Sequence, residues 1–169
     1  VKNVVHEVDP ARGGAVLRSI SLQNPSALAA MDGKLYASAD NKIVEIDVPS
    51  GKVSREIAGG LEAVPAGLAA GPDGRFYWSD QKSNVVHILD KDGKPAGIIG
   101  KPGGLTACSA EVRAAMGGYG EECQDMPAVS GPYDPLKLQN PAGLVVSPDG
   151  HLWVTENGRW KPKRLSAYD

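Results

Sequence analysis

An all-β architecture assembled from a repeated unit is predicted by three observations: a long segment that recurs three times, a shorter one that recurs four times, and an abundance of turn-forming residues. The long segment reads NPSALAAMDGKLYASAD from Asn24, VPAGLAAGPDGRFYWSD from Val64 and NPAGLVVSPDGHLWVTE from Asn140. Its prolines, Pro25, Pro65 and Pro141, each stand fifteen residues before Asp40, Asp80 or Glu156. The short segment reads NVVHEVD from Asn3, NKIVEID from Asn41, NVVHILD from Asn84 and KRLSAYD from Lys163. The first two prolines set a period of about 40 residues, within the range of four-stranded propeller blades, and the last interval is longer by roughly 36 residues. Twenty-one Gly and 13 Pro against a single Phe favour many tight turns over long helices.

Each unit resolves into four short strands, here lettered A to D. Strand A follows the proline, as at Gly67 to Ala70 and Gly143 to Val146. A turn at Asp32-Gly33, Asp73-Gly74 or Asp149-Gly150 leads into strand B, because Asp-Gly supplies the positive-φ position that a short hairpin needs. The B strands are LYASA, FYWS and LWVT, and the C strands are the four Asn-to-Asp segments. A second turn, Pro49-Ser50-Gly51 or Lys91-Asp92-Gly93, leads to strand D at Lys52 to Ile57 or Pro95 to Ile99. Strands of this length at regular spacing, separated by turn signals, define an all-β repeat fold.

The pattern Pro-x-Gly-[LV]-apolar, Asp-Gly-x-apolar-aromatic, acid, then Asn-x-[IV]-x-x-[LIV]-Asp-x-x-Gly resembles the NHL repeat of six-bladed β-propellers, with the lactonase-like propellers of the SMP-30 type close behind. The resemblance covers the chain outside an insertion at about residues 105–139. It implies a propeller of about three to three and a half four-stranded blades, as part of a six-bladed ring. The units are strands C and D of one blade in 1–23, full blades in 24–63 and 64–104, the inserted loop in 105–139, and strands A to C in 140–169. The second unit has Ala27 where the others have Gly67 and Gly143, and its strict counterpart of Asp80 and Glu156 is Ala39, not Asp40. An arc of this size leaves edges unpaired, so the remainder of the propeller or a second chain is expected to complete it.

Composition removes several function classes. The formal charge of −2 gives no electrostatic footprint for nucleic acid, and no apolar run approaches the length of a membrane span. Neither is expected as a partner. The sequence has no GxSxG, HExxH, P-loop or dinucleotide fingerprint. Its three histidines, His6, His87 and His151, are too few and too scattered for a His-rich metal cluster.

Strand direction places the B–C turns and D–A connections on one face, called the top, and the Asp-Gly turns on the other. Top-face candidates for binding are Asp80, Gln81 and Asn84, with Glu156, Asn157, Arg159, Trp160, Lys163 and Arg164; Asp40, Asn41 and Lys82 share that rim. Two readings stand for the acids. They can accept hydrogen bonds from the backbone of their own turns, or Asp80 and Glu156 can ligate a hard cation such as calcium. In the basic segment ENGRWKPKR, Glu156 to Arg164, Trp160 between Arg159 and Lys161 can stack on a sugar or a partner side chain; the alternative is a solvated loop. Val145 or Val146 is expected to face the central channel.

Within the insertion, Ser109 followed by AEVRAAM reads as a short capped helix. Cys108 precedes it and Cys123 follows it, so a disulfide can close a loop of about 15 residues, worth on the order of 3 kcal/mol by chain entropy. Two reduced thiols are the alternative. An extracellular or periplasmic location goes with the disulfide. The function read from these features is a binding module that presents top-face loops to a protein or carbohydrate. The rivals are a metal-dependent lactonase- or lyase-like enzyme and a structural subunit of an extracellular assembly.

Overall fold

A computed structural model describes residues 3–103, 136–157 and 165–169. Among these residues thirteen strands form four antiparallel sheets that follow one another along the chain. The first sheet pairs β1 (Val4–Asp9) with β2 (Ala15–Ser21). The second holds β3 (Pro25–Met31), β4 (Lys34–Ala39), β5 (Lys42–Asp47) and β6 (Lys52–Ala58) in sequential order. The third repeats that order with β7 (Gly67–Ala70), β8 (Phe76–Asp80), β9 (Val85–Leu89) and β10 (Pro95–Ile99). The fourth contains β11 (Pro141–Val146), β12 (Leu152–Glu156) and β13 (Leu165–Tyr168). Among the described residues the helical element is one 3-10 turn, Pro10–Arg12, so none is long and apolar enough to cross a membrane. The predicted helix after Ser109 and the Cys108–Cys123 pair lie outside the described residues.

The hairpins show how turn chemistry sets the register. Asp32 and Gly33 both adopt positive φ, 50° and 75°, as a two-residue hairpin of the primed kind requires. The other two inner hairpins use four-residue turns with Pro72 or Pro148 in second place, closed by Gly74 N–H to Gly71 O and Gly150 N–H to Ser147 O, each at 2.9 Å. Gly74 and Gly150 adopt φ values of 83° and 91°. The shorter first turn removes one residue from the second sheet. A bulge between Pro25 and Leu28 then leaves Ala39 opposite Pro25, just as Glu156 lies opposite Pro141.

Three apolar cores fill the junctions between successive sheets. Val5, Ile20, Leu22, Ala37 and Val44 close the first. Tyr36, Ile43, Leu68, Phe76 and Trp78 close the second, where the Tyr36 and Phe76 rings meet edge to face at 4.9 Å, a contact worth about 1 kcal/mol beyond its buried area. Tyr77, Val86, Leu138, Leu152 and Val154 close the third. Alternation along each strand therefore sends adjacent residues into different junctions, as Leu68 and Ala69 show.

Polar latches join the same sheets. The Ser26 hydroxyl donates to Pro65 O at 2.6 Å and the Ser79 hydroxyl to Ala142 O at 2.9 Å. Asn3 Oδ1 accepts from Asn24 N at 3.3 Å, and Asn84 Oδ1 from Asn140 N at 2.7 Å. Val145, like Val146, lines a hollow between the inner strands β3, β7 and β11. It pairs with Trp153, while its neighbour Leu144 packs on the third junction, so Val145 and Trp153 share the face turned away from the third sheet. They are 58% and 38% exposed.

Candidate functional site

The B strands end at the top rim, and there the two acids singled out in the sequence turn inward. Asp80, at the end of β8, is 1% exposed. Its Oδ1 accepts from Lys82 N at 2.7 Å and Ser83 N at 3.2 Å, while Oδ2 accepts from the Ser83 hydroxyl and lies 3.4 Å from His87 Nε2. Burial pushes its pKa up, but the Ser83 hydroxyl, the two amides and His87 outweigh burial and hold the carboxyl below the ordinary aspartate value. Both oxygens are thereby engaged, so a calcium ion at Asp80 would have to displace these donors.

Glu156, at the end of β12, is 4% exposed and accepts from Gln139 N at 2.7 Å. Burial pushes its pKa up, and the opposing hydrogen bonds from Gln139 N and the Ser166 side chain do not offset it. The corresponding place in the second sheet is Ala39. Asp40 instead has φ 54° and takes a hydrogen bond from Asn24 Nδ2 at 2.5 Å. The ring of rim acids is therefore broken in the second sheet and structural in the third. Among the described residues no group of three His, Cys, Asp or Glu side chains is placed to hold a metal ion.

The remaining candidates divide. Gln81 and Lys82 are exposed on the turn that Asp80 organises. Asn84 has φ 59° and spends its carbonyl oxygen on the latch to Asn140, which is a packing role. Asn157 is exposed and donates its amide to Asn140 O at 3.0 Å. Arg159, Trp160, Lys163 and Arg164 lie outside the described residues.

One arrangement was not foreseen. The His87 imidazole stacks on the Trp78 indole, with centroids 4.1 Å apart and planes inclined by 9°. Trp78 Nε1 is buried without a hydrogen-bond partner. The two residues are cross-strand neighbours. The signal in the sequence is the aromatic run FYWS facing the segment NVVHILD, and reading it requires the β8–β9 register.

Residues 138–159 match the family model of the NHL repeat, and the matched stretch spans β11, its Asp-Gly turn and β12. The fold is of the β-propeller type, and this stretch is similar to an NHL repeat. Solved structures agree with this fold. In the crystal structure of a nidogen/laminin complex, a chain 16% identical superposes with a TM-score of 0.60, over 96% of this chain and 52% of that one. Virginiamycin B lyase from Staphylococcus aureus gives 0.52 at 13% identity, over 99% of this chain and 49% of that one. A gluconolactonase from Xanthomonas campestris gives 0.55 at 13% identity, over 88% and 44%. This chain thus spans about half the length of the solved proteins it resembles. A search of curated protein sequences finds no match.

Proposed function

We propose that this chain is a binding module, a propeller scaffold whose top rim of B–C turns and D–A connections meets a protein or carbohydrate partner. The inward use of Asp80 carries this reading. Its carboxylate fixes the turn from within, which leaves Gln81 and Lys82 as exposed polar groups on a rigid support. The propeller of the nidogen/laminin complex supports a protein partner by analogy of fold. Export to an extracellular or periplasmic compartment and the Cys108–Cys123 disulfide belong to the same reading, as do further blades or a second chain beside the sheets at either end. A structural subunit of an extracellular assembly is a special case of it.

A metal-dependent enzyme is the second reading, favoured by the lyase and gluconolactonase among the similar folds. It would require Glu156, and Asp80 released from its turn, to act as ligands of a hard cation such as calcium, in chemistry set by residues from other blades.

The test is a glycan array together with a panel of purified extracellular-matrix proteins, probed with the 169-residue chain. A saturable partner should be lost in the double variant Gln81→Ala, Lys82→Glu and retained in Arg75→Glu, whose side chain sits at the opposite face. Binding that survives the rim variant defeats the proposal. Stoichiometric calcium uptake that disappears in Glu156→Gln would select the enzyme reading instead.

A further inference from the structure

The second junction departs from its two neighbours in a way that opens a cleft. The strand preceding each A strand is followed by Leu-Gln-Asn-Pro at residues 22–25 and again at 138–141, but by Leu-Glu-Ala-Val-Pro at 61–65. Leu22 and Leu61 occupy equivalent places, since their amides donate to Asn3 O at 2.9 Å and Asn41 O at 3.0 Å. Leu22 and Leu138 are buried wedges in the first and third junctions. Leu61, with one extra residue behind it and Gly59-Gly60 in front, is only partly buried. A cleft of about 460 Å³ remains beside it, between the second and third sheets towards their outer strands β6 and β10.

The floor of this cleft is the Trp78–His87 stack, and Glu62 and Ile98 stand in its walls. In the neighbouring sheets the two floor positions are held by Ala37 with Val44 and by Val154 with Ser166, none of which offers a flat π surface. Glu62 replaces the glutamines Gln23 and Gln139 of the other junctions. It is exposed and has no ion-pair partner among the described residues, whereas Lys42 is already engaged with Glu56 at 2.8 Å. Departures from a repeat's own rule that combine a lost wedge, an aromatic floor and a new charge are where binding is to be sought.

We propose that this cleft receives an arginine side chain from a partner; of the top rim it uses the β6–β7 connection that carries Glu62, and not the β8–β9 turn of Gln81 and Lys82. The chemistry is specific to a guanidinium. A planar delocalised cation stacks on the outer face of the His87 ring, whose inner face rests on the buried Trp78, and the Asp80 carboxylate, 3.4 Å from His87 Nε2, makes that floor more favourable to positive charge. Glu62 then accepts the guanidinium N–H groups in a fork, while Leu61 and Ile98 cover the alkyl stem. An ammonium lacks the plane, and a neutral sugar leaves Glu62 without a counter-charge.

The test is a titration of the 169-residue chain with N-acetyl-arginine amide, followed by NMR at the Trp78 indole N–H and the Gly59 and Gly60 amides. Saturable shifts confined to these signals are expected, with affinity reduced about tenfold in Glu62→Gln, as loss of a charge-assisted pair implies. The isosteric neutral N-acetyl-citrulline amide should bind no better than that variant does. Equal binding of the two probes, indifference to Glu62→Gln, shifts located elsewhere, or no saturation up to the solubility of the probe would each overturn the assignment. So would preferential binding of methyl glucoside. Glu62 is exposed, so its variant leaves the fold intact, and the rim substitutions Gln81→Ala and Lys82→Glu should leave arginine binding unchanged, which separates failure here from failure of the rim proposal.

Discussion

Asp80 and Glu156 occupy matching places at the ends of β8 and β12, yet they respond to acid in opposite senses. Asp80 is held below the ordinary aspartate value of 3.8, so its stabilising contribution is present above that value and is lost as pH falls through the lower folded pKa. Glu156 is raised above the ordinary 4.5; its contribution is complete below that value and is lost as pH rises through the higher folded pKa. Urea unfolding across a pH series checks both. Asp80→Asn should flatten the acid limb below 3.8, whereas Glu156→Gln, which keeps an acceptor for Gln139 N, should remove the decline above 4.5. Asp80→Ala strands the Lys82 and Ser83 amides and is expected to cost about 2–3 kcal/mol at neutral pH. An Asp80→Ala variant as stable as the parent would show that these hydrogen bonds do not organise the turn.

At the scale of the strand, close approach between blades explains which glycine of the Pro-x-Gly pattern is obligatory. A Cβ at Gly67 would stand 1.8 Å from Ala142 O, the same carbonyl that the Ser79 hydroxyl grips. Gly67→Ala should therefore cost about 3 kcal/mol or more, against about 1 kcal/mol for Ser79→Ala, as measured by chemical denaturation. At Gly143 the nearest obstacle is the Thr155 hydroxyl at 2.9 Å, a side chain of its own blade. The second blade already carries Ala27 there, with its amide on the Ser38 hydroxyl at 2.7 Å. The glycine pattern, the Asp-Gly turns and the A-to-D order were all legible because each is written within one repeat. What was not legible depends on contacts between repeats. The same Leu is a seated wedge at Leu22 and Leu138 but half-open at Leu61, and the Trp78–His87 stack exists only once β8 and β9 pair in register. The rim acids lie between these cases. Their position follows from spacing, but whether their oxygens point inward does not.

Across the whole molecule, the sheets at the two ends each present an uncovered apolar face. Val145, Trp153 and Leu165 are exposed on the fourth sheet, and Leu28, Val16 and Leu17 around the first junction. Corresponding residues of the inner blades, such as Tyr77 and Val86, are buried against a neighbour. Exposed surfaces of this kind drive association, so the 169-residue chain should self-associate with rising concentration in sedimentation velocity, and Val145→Lys with Trp153→Lys should shift it towards monomer. A monodisperse 17.6 kDa species at all concentrations would contradict this. The hydroxyl and asparagine latches carry a related consequence. Because these latches, among the described residues, each fasten a sheet to the one beside it, the chain behaves as a row of links and not as one indivisible core. Opening should then begin at the two ends and travel inward, so amide exchange is expected to be fastest in β1, β2 and β13 and slowest in β4, β5, β8 and β9. The Trp78–His87 floor would thus stay assembled while the ends of the arc breathe, which makes it the steadiest place on this molecule to hold a ligand.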